Sequence, residues 1–527
     1  MSLHASSGEL ARQKARLLLL TGPPSLGVRM KLSLSFCIFD ESKAYYLISA
    51  VLLLLQLCPI WSTPYPAMHD YPNHLARVHV LHEYGENKSY QALYERDTRP
   101  IPNLAIDLIV STFMSIASIE TSSKMFLSLM VVVFNLGIHL FGFAVNRGPY
   151  WSVLVCTFFT YNFAFSYGFV NYLFGLGVFF GTLAIWLHFR PQWTLARIVL
   201  TSLFTLVCYV SHLSAFVFFS LSIVCLTGIQ LIKNRLLHIE HVLGLTVLVP
   251  PTLLYFLYSH GIDRTAPMIW WRPLLVKKVT GLVYPFLTYD LFIDLGLGLG
   301  FVVFVLFLLR GKGGTTINWE SILLSGVFVA LYLCAPMSGA QSSYVDRRFL
   351  LPATLFLLLG LKINVLNKTG RHILIGLLCL TILRLGEVVY YWNRIGVEVQ
   401  AQVHMLDKLP TGVRLYPMVL HESSARNWLW DMHFFFTAHY ATIYRNAFVP
   451  TIYAWKGAHP LNLRTGNNDY FQVEQGTPVA NVNWEVIFSN YDYLWGYKLP
   501  QEFRRFLVTK GELIAQSDEA MLVRIRK

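Results

Sequence analysis

Residues 68–77, with the sequence MHDYPNHLAR, crowd five ionisable or amide side chains directly behind the first long apolar run of the chain. A carboxylate close to hydrocarbon is partly desolvated, which raises its pKa and makes it a proton acceptor for an incoming hydroxyl or amine. Asp70 is therefore a candidate general base, and His69, His74 and Arg77 are candidate substrate contacts. A structural interpretation stays open, in which Asp70 caps the helix that follows and His74 and Arg77 are solvated.

A second cluster, with the sequence YVDRRFLLP at residues 344–352, places two arginines at the start of a Leu-rich run. The planar guanidinium groups of Arg347 and Arg348 suit the geometry of a phosphate, and Tyr344 stands beside them as a further candidate contact. The alternative is that both arginines extend towards the membrane surface, with Asp346 as a local ion-pair partner.

A third cluster lies in the connection 259–290 and mixes cations with aromatic rings. Its members are Arg264, Trp270, Trp271, Arg272, Lys277 and Lys278. Such a group could anchor the phosphate of a lipid, and Arg264, Arg272 and Lys277 are candidate substrate contacts. An aromatic belt with ordinary interfacial cations accounts for the same residues.

The composition indicates which class of protein holds these side chains in place. The chain has 527 residues, of which 55% are hydrophobic and only 13% are charged, so most of it cannot be a water-solvated globule. The net charge of +13 is spread over short connections rather than gathered into one basic face. We therefore interpret the charge as a determinant of membrane topology and not as a nucleic-acid surface.

Apolar stretches of the length needed to cross a bilayer, ~20 residues, recur as far as residue 392. Asn103–Ala117 is apolar but short, and its polar residues share one helical face, so we expect it to lie in the membrane interface. Eleven spanning helices are predicted, at 44–62, 124–145, 150–167, 171–189, 196–211, 214–232, 239–258, 291–309, 319–336, 348–363 and 372–391.

The distribution of Lys and Arg orients these helices. With Asn103–Ala117 lying flat, sixteen basic residues fall on the cytoplasmic side and eleven outside, whereas a spanning Asn103–Ala117 gives thirteen against fourteen. Cytoplasmic connections are richer in Lys and Arg, so the first arrangement is favoured. It places the N-terminus in the cytoplasm and the first loop, 63–123, on the exoplasmic side.

Three domains follow from this topology. Residues 1–43 form a cytoplasmic segment in which Met30 is a possible true start, and 44–392 form the transmembrane module. Residues 393–527 are predicted to be a small exoplasmic α/β domain, with strands near 413–419 and 491–496, a helix at 501–508 and a hairpin over 513–525. This domain contains no cysteine, so disulfides are not expected in it.

A few polar residues lie inside or between the predicted spans. Arg384 and Glu387 are three residues apart on one helix, and we expect them to pair as a structural unit. The Ser211-His212 step and the turn 167–171 are expected on the exoplasmic side. Each either borders a cavity or simply makes a tight turn between two spans.

Together, these segments resemble the GT-C superfamily of membrane glycosyltransferases, which includes the protein O-mannosyltransferases and the lipid A aminoarabinose transferase. Members have a cytoplasmic N-terminus, a long first exoplasmic loop with interfacial helices and an acidic motif just after the first span. Asp70 matches the first acid of that motif and Ala76-Arg77 its trailing pair, whereas Tyr71 replaces the second acid. Arg348-Phe349-x-x-Pro352 is similar to the Arg-Tyr-x-x-Pro run that begins a late span in many members.

The resemblance implies an inverting glycosyltransferase for hexosyl or pentosyl groups, acting on the exoplasmic face. The expected partners are a polyprenyl-phosphate-linked sugar donor, membrane lipids, and a lipid, glycan or protein acceptor; nucleic acid is not expected. No cofactor is indicated, and the missing second acid puts dependence on a divalent metal in doubt. The expected location is the bacterial inner membrane with a periplasmic C-terminal domain. A non-enzymatic transporter or flippase and an inactive assembly subunit remain open alternatives.

Overall fold

The computed structural model describes residues 41–146, 148, 150–236, 238–259, 267–310, 316–339, 342–420, 428–464, 466–467 and 469–527. Contacts divide the chain into a unit Met1–Ala44 and a unit Tyr45–Lys527, and the architecture described is that of the second. Residues 1–40 of the predicted segment 1–43, Met30 among them, lie outside the described residues. Arg264 lies outside them as well.

Helices dominate the described residues, and strands are short and concentrated near the C-terminal end. In chain order the helices are α1 (Glu41–Ser62), α2 (Tyr71–Glu83), α3 (Lys88–Leu93), α4 (Ala105–Phe113), α5 (Ile119–Asn146), α6 (Ser152–Cys156), α7 (Phe163–Tyr167), α8 (Val170–Phe189), α9 (Leu195–Ser211), α10 (Leu213–Asn234), α11 (Ile239–Leu245), α12 (Val249–Ser259), α13 (Leu274–Gly281), α14 (Leu291–Leu309), α15 (Trp319–Cys334), α16 (Leu350–Leu359), α17 (Lys368–Leu406), α18 (Trp428–Asp431), α19 (Tyr440–Arg445), α20 (Trp484–Asn490) and α21 (Gln501–Lys510). The strands are β1 (Tyr94–Arg96), β2 (Thr316–Ile317), β3 (Leu361–Lys362), β4 (Leu415–Val419), β5 (Leu461–Leu463), β6 (Tyr493–Tyr497), β7 (Gly511–Gln516) and β8 (Ala520–Ile525).

Seven helical stretches of the described chain are long and apolar enough to cross a bilayer, and the protein is a multi-pass integral membrane protein. The apolar helices Leu195–Ser211 and Trp319–Cys334 are shorter. Together these nine coincide with nine of the eleven predicted spans. The seven long stretches are Ser42–Ser62, Ile119–Asn146, Val170–Phe189, Leu213–Lys233, Ile239–Leu257, Leu291–Leu309 and Lys368–Leu406.

The other two predicted spans are not continuous helices. Residues 150–167 form α6, a 3-10 turn at Thr157–Phe159 and α7, because the side chain of Asn162 accepts hydrogen bonds from the backbone amides of Ala164 and Phe165 and starts a new helix there. Residues 348–363 contain the end of a 3-10 turn at Arg347–Phe349, the ten-residue helix α16 and the short strand β3. At ~1.5 Å per residue such a helix is about 15 Å long, half the ~30 Å of hydrocarbon.

The first loop folds back on itself through short helices. The predicted interfacial segment contains the nine-residue helix α4, whose Asp107 is buried instead of exposed. Asp107 accepts hydrogen bonds at 2.7 and 2.9 Å from two nitrogens of the Arg77 guanidinium on α2. Of the polar residues aligned along this segment, Asp107 therefore joins α4 to α2.

The C-terminal region carries a four-stranded sheet in the order β4-β6-β8-β7. β4 pairs in parallel with β6, β6 pairs antiparallel with β8, and β7 and β8 form a hairpin. These strands lie where the sequence predicts them, with shifts of one or two residues. A separate antiparallel pair joins β1 in the first loop to β5, with Tyr94 opposite Leu463.

A buried ionic cluster ties α14 to α17. Arg384 bonds both Asp294 on α14 and Glu387 one turn further along α17, and its second terminal nitrogen donates to the carbonyl of Phe286 at 2.7 Å. All three charged side chains are at most 3% exposed. The pairing of Arg384 with Glu387 matches the prediction, whereas Asp294 was not anticipated as a partner.

We expect Arg384→Leu to lower the thermal unfolding midpoint of the purified protein, since it leaves two carboxylates buried without their cation. Removing one partner from a buried pair costs about 3–5 kcal/mol. The matched control is Arg371→Leu, which changes an exposed arginine on the same helix and is expected to leave the midpoint near that of the wild type. Equal midpoints for Arg384→Leu and Arg371→Leu would contradict a structural role for this cluster.

Candidate active site

A cavity of about 430 Å³ opens where several distant parts of the chain meet. Among the described residues of its lining, Asp70 is the one acidic residue, and Arg77 and Arg348 are the arginines. The other walls come from the turn after α7, the junction of α9 and α10, the segment before α16 and a loop of the C-terminal region. Lining residues are Asp70, His74, Arg77, Pro102, Asn103, Tyr167, Phe169, Val170, Asn171, Tyr172, His212, Leu213, Ser214, Val217, Phe218, Gly339, Ser342, Ser343, Val345, Arg348, Phe349, Tyr453, Trp455, Ala458 and His459.

Asp70 occupies the N-cap position of α2, but its side chain makes no capping hydrogen bond. The carboxylate faces the cavity and accepts a hydrogen bond of 2.7 Å from the Tyr453 hydroxyl. Burial raises the pKa of Asp70 to about 7, although the Tyr453 hydroxyl and the charges of Arg348 and Arg77 act in the opposite direction. A carboxyl group with that pKa can take up a proton near neutral pH.

The backbone around Asp70 is fixed by the turn that ends α7. The amides of His69 and Asp70 donate to the carbonyls of Ser166 and Tyr167, each at 3.0 Å. The next residue, Gly168, has a φ of +93°, and a Cβ there would lie 2.9 Å from the Asp70 nitrogen. Only glycine combines that conformation with so close an approach. Of the two interpretations of the turn 167–171, the structure supports the one in which it borders a cavity, and the same turn holds Asp70 in place.

Asn73, one turn along α2, attaches a loop of the C-terminal region to this site. Its amide nitrogen donates to the carbonyl of Thr451 at 2.9 Å, and its oxygen accepts from the backbone amide of Tyr453 at 2.7 Å. Both groups of the fully buried amide are thereby satisfied. These bonds present the Tyr453 hydroxyl to Asp70, and His459 stacks on the Tyr453 ring at 5.4 Å.

Arg77 and His74 form the floor behind Asp70. Arg77 is 1% exposed and holds Asp107, while its Nη2 lies 3.1 Å from Nδ1 of His74. A guanidinium can only donate, so Nδ1 of His74 accepts and the neutral ring carries its proton on Nε2. Burial and the charge of Arg77 keep the pKa of His74 well below its usual value. His74 is therefore a hydrogen-bond donor to the cavity and not a second base.

His69 is oriented away from this lining. Its Nδ1 lies 2.5 Å from the carbonyl of Met432, which requires a proton on that nitrogen. Its Nε2 is 3.5 Å from the Asp70 carboxylate. His69 therefore lies behind Asp70, packed between Tyr167 and Phe436.

The two arginines of the second cluster separate. Arg348 lines the cavity beside Asp70, and its Nη2 donates to the carbonyl of Ser343 at 3.1 Å. Arg347 enters an aromatic cage instead, with its guanidinium carbon 3.4 Å from the Tyr284 ring centroid, 4.2 Å from that of Trp271 and 4.5 Å from that of Tyr344. Tyr344 thus contacts Arg347 and does not line the cavity.

Asp346 pairs with the third cluster and not with either arginine side chain. Its carboxylate accepts from Lys278 at 2.6 Å and from the Trp271 indole at 2.9 Å, and both Asp346 and Lys278 are buried. This pair fixes α13 against the start of α16. The two candidates from this cluster that the structure describes, Arg272 and Lys277, are exposed and stand outside the cavity lining.

The structure therefore brings together four predicted site residues: Asp70, His74, Arg77 and Arg348. Two residues that the sequence analysis did not select as candidates support the site from outside this lining: Asn73 holds the loop of Tyr453, and Lys278 pairs with Asp346. The aromatic and histidine side chains of 453–459 were also missed. Their concentration in YAWKGAH was a visible signal, but nothing in the sequence indicates that they face Asp70. Among the described residues, no group of three or more His, Cys, Asp or Glu side chains is placed to hold a metal ion.

Solved structures share this architecture along most of the chain. ArnT from Cupriavidus metallidurans bound to undecaprenyl phosphate matches with a TM-score of 0.50 and 11% sequence identity, covering 92% of this chain and 98% of that chain. ArnT from the same organism in the apo state gives 0.49 and 12% with the same coverage. No protein-family model and no curated sequence matches the chain. At this identity the likeness is one of fold, and it agrees with the polytopic helical architecture with a small C-terminal sheet domain expected from the sequence.

We expect Asn73→Ala to release the loop that carries Tyr453, because it removes both side-chain bonds to the backbone of 451–453. Hydrogen–deuterium exchange of peptides covering 451–459 should become faster, most of all at the Tyr453 amide. The matched control, Asn87→Ala, removes a half-buried helix cap in the same first loop and should leave that exchange unchanged. Unaltered exchange of 451–459 in Asn73→Ala would show that the loop is held by other contacts.

Proposed function

We propose that this protein is a membrane glycosyltransferase that moves a sugar from a polyprenyl-phosphate-linked donor to a hydroxyl or amine acceptor on the exoplasmic face. The observation that carries the proposal is the shared cavity of Asp70 and Arg348, a carboxyl group that titrates near neutrality and an arginine suited to a phosphate. The fold adds support, because ArnT has been solved with undecaprenyl phosphate bound. We further propose the bacterial inner membrane as the location, with the C-terminal domain in the periplasm.

The proposed reaction is a single displacement with inversion at the anomeric carbon. Asp70 accepts the proton of the acceptor as the acceptor's oxygen or nitrogen forms its bond to that carbon. The bond between the anomeric carbon and the phosphate oxygen breaks, and its electron pair stays with the lipid phosphate. Arg348 stabilises the charge that develops on that phosphate. The products are the glycosylated acceptor and a polyprenyl phosphate.

The neighbouring residues have supporting roles in this scheme. His74 donates through Nε2 to a substrate hydroxyl, and Arg77 fixes both that ring and the helix that bears Asp70. Arg347 stabilises the segment next to Arg348 through its aromatic cage and does not contact the phosphate itself. Arg272 and Lys277, both exposed, contact the surface of the membrane and not the reacting groups.

We expect Asp70→Asn to lower the rate of sugar transfer by a factor of about 10²–10⁴, since an amide cannot accept the proton. The measurement is release of undecaprenyl phosphate from undecaprenyl-phosphate-linked pentose and hexose donors by purified protein. Asp518→Asn, at an exposed position of the β7–β8 turn, is the matched control and should keep wild-type turnover. Retained turnover in Asp70→Asn would remove Asp70 from the chemistry, and translocation of the donor without release would favour a transporter.

The pH dependence offers a second test of the same carboxyl group. Transfer requires the deprotonated form of Asp70, so the rate should rise with pH through about 7. The Tyr453 hydroxyl stabilises the carboxylate, and Tyr453→Phe should therefore raise the pKa of Asp70. We expect the acidic limb of the pH–rate profile to move up by about one unit, whereas Tyr470→Phe should leave it in place. If the acidic limb of the pH–rate profile is the same in Tyr453→Phe and the wild type, the group that titrates in the profile is not Asp70.

A further inference from the structure

His212 stands at the junction of α9 and α10 and is 7% exposed. It is the N-cap residue of α10, and its Nδ1 accepts a hydrogen bond of 3.0 Å from the backbone amide of Ser214. A backbone amide can only donate, so Nδ1 must be unprotonated. A neutral imidazole with an unprotonated Nδ1 carries its hydrogen on Nε2.

Nε2 of His212 lies 3.3 Å from Nη1 of Arg348, which is also a donor. Two N–H groups thus meet without an acceptor between them. In the opposite tautomer, Nδ1 would carry the hydrogen and would meet the backbone amide of Ser214 as a second donor. That amide is fixed in the first turn of the helix and cannot turn away. Burial and the charge of Arg348 keep the pKa of His212 well below its usual value, so the ring is neutral. Both donors are available for an acceptor supplied from the cavity that they line.

Two further features of this wall of the cavity favour an anion. Arg348 forms no ion pair with a carboxylate among the described residues, and its Nε is buried without a hydrogen-bond partner. The 22-residue helix α10 directs its N-terminus at the same wall, with Leu213 and Ser214 in the lining and no acidic residue in its first turn. The amide of Leu213 is capped by the neutral side chain of Asn103 at 3.0 Å, so the positive end of the helix dipole is not cancelled.

We propose that His212 is an anion-binding residue, and that its Nε2–H and the Arg348 guanidinium hold the same phosphate. The inference rests on the proposed function, in which that phosphate belongs to the lipid-linked donor. Such a donor is a phosphodiester with one negative charge, which matches the single formal charge of a site built from one arginine and one neutral imidazole. An acceptor oxygen between the two donors removes the conflict that the ligand-free arrangement contains.

The test compares the affinities of wild-type protein and His212→Asn for undecaprenyl phosphate and undecaprenol in nanodiscs. Asparagine can keep the helix cap through its side-chain oxygen but lacks the Nε2–H. We expect affinity for the phosphate to fall about tenfold and affinity for the alcohol to stay constant. His238→Asn, which alters an exposed N-cap histidine on α11, should match the wild type for both lipids.

The ratio of the two affinities is the readout, because a general loss of folded protein lowers both equally. A wild-type ratio in His212→Asn would overturn the anion-binding role while leaving the proposed function intact. Thermal stabilisation by inorganic phosphate separates the sources of the anion. A wild-type protein that is stabilised by inorganic phosphate through His212, but does not distinguish the two lipids, would keep the anion site and overturn the lipid donor. A wild-type protein that binds neither lipid and is not stabilised by inorganic phosphate would overturn both the anion-binding role of His212 and the proposed lipid-linked donor.

Discussion

Two hydrogen bonds between the Asn73 side chain and the backbone of Thr451 and Tyr453 join parts of the chain that are 378 and 380 residues apart. The rest of the site depends on this attachment. It brings the Tyr453 hydroxyl to Asp70, and through it the C-terminal loop becomes one wall of the cavity. Burial raises the pKa of Asp70, and the Tyr453 hydroxyl that this loop supplies opposes the rise. A fully solvated carboxyl group would instead stay ionised at neutral pH.

Buried ion pairs hold the structure together, whereas two charged residues of the candidate site are not paired in this way. Deeply buried cations are matched by carboxylates: Arg77 by Asp107, Lys278 by Asp346, and Arg384 by Asp294 and Glu387. Burying an unmatched charge is costly, so these pairs indicate parts of the structure that must not change. Asp70 and Arg348 differ: they line the cavity, as Arg77 does, but neither belongs to such a pair of a carboxylate with Arg or Lys among the described residues. Their charges remain available to a substrate because the surrounding pairs satisfy the charges of the scaffold.

Much of the architecture could be predicted from the sequence because apolar length and period-two alternation are local properties. Nine of the predicted spans, the strands of the C-terminal sheet and the motif around Asp70 belong to this class. The sequence analysis predicted one continuous span over 150–167. It missed the new helix that starts after Asn162, because a single capping side chain ends one helix and starts the next within an apolar run. The partners of Asp70 and Asp346 were missed for a different reason. Tyr453 and Lys278 are distant in sequence, and no local pattern specifies which buried hydroxyl or amine reaches which carboxylate.

The antiparallel pairing of β1 with β5 has a consequence for the synthesis of the protein. A ribosome extends the chain at ~5–20 residues per second, so β1 waits tens of seconds for the segment that contains its partner. During that interval the early helices are already in the bilayer, while the first loop has a free strand edge and Asp70 is incompletely enclosed. Under the proposed topology, the unfinished chain cannot assemble its cavity until residues 451–463 have been translocated. If the proposed function holds, a membrane-inserted precursor therefore cannot bind a lipid donor in this cavity before the loop that carries Tyr453 has joined it.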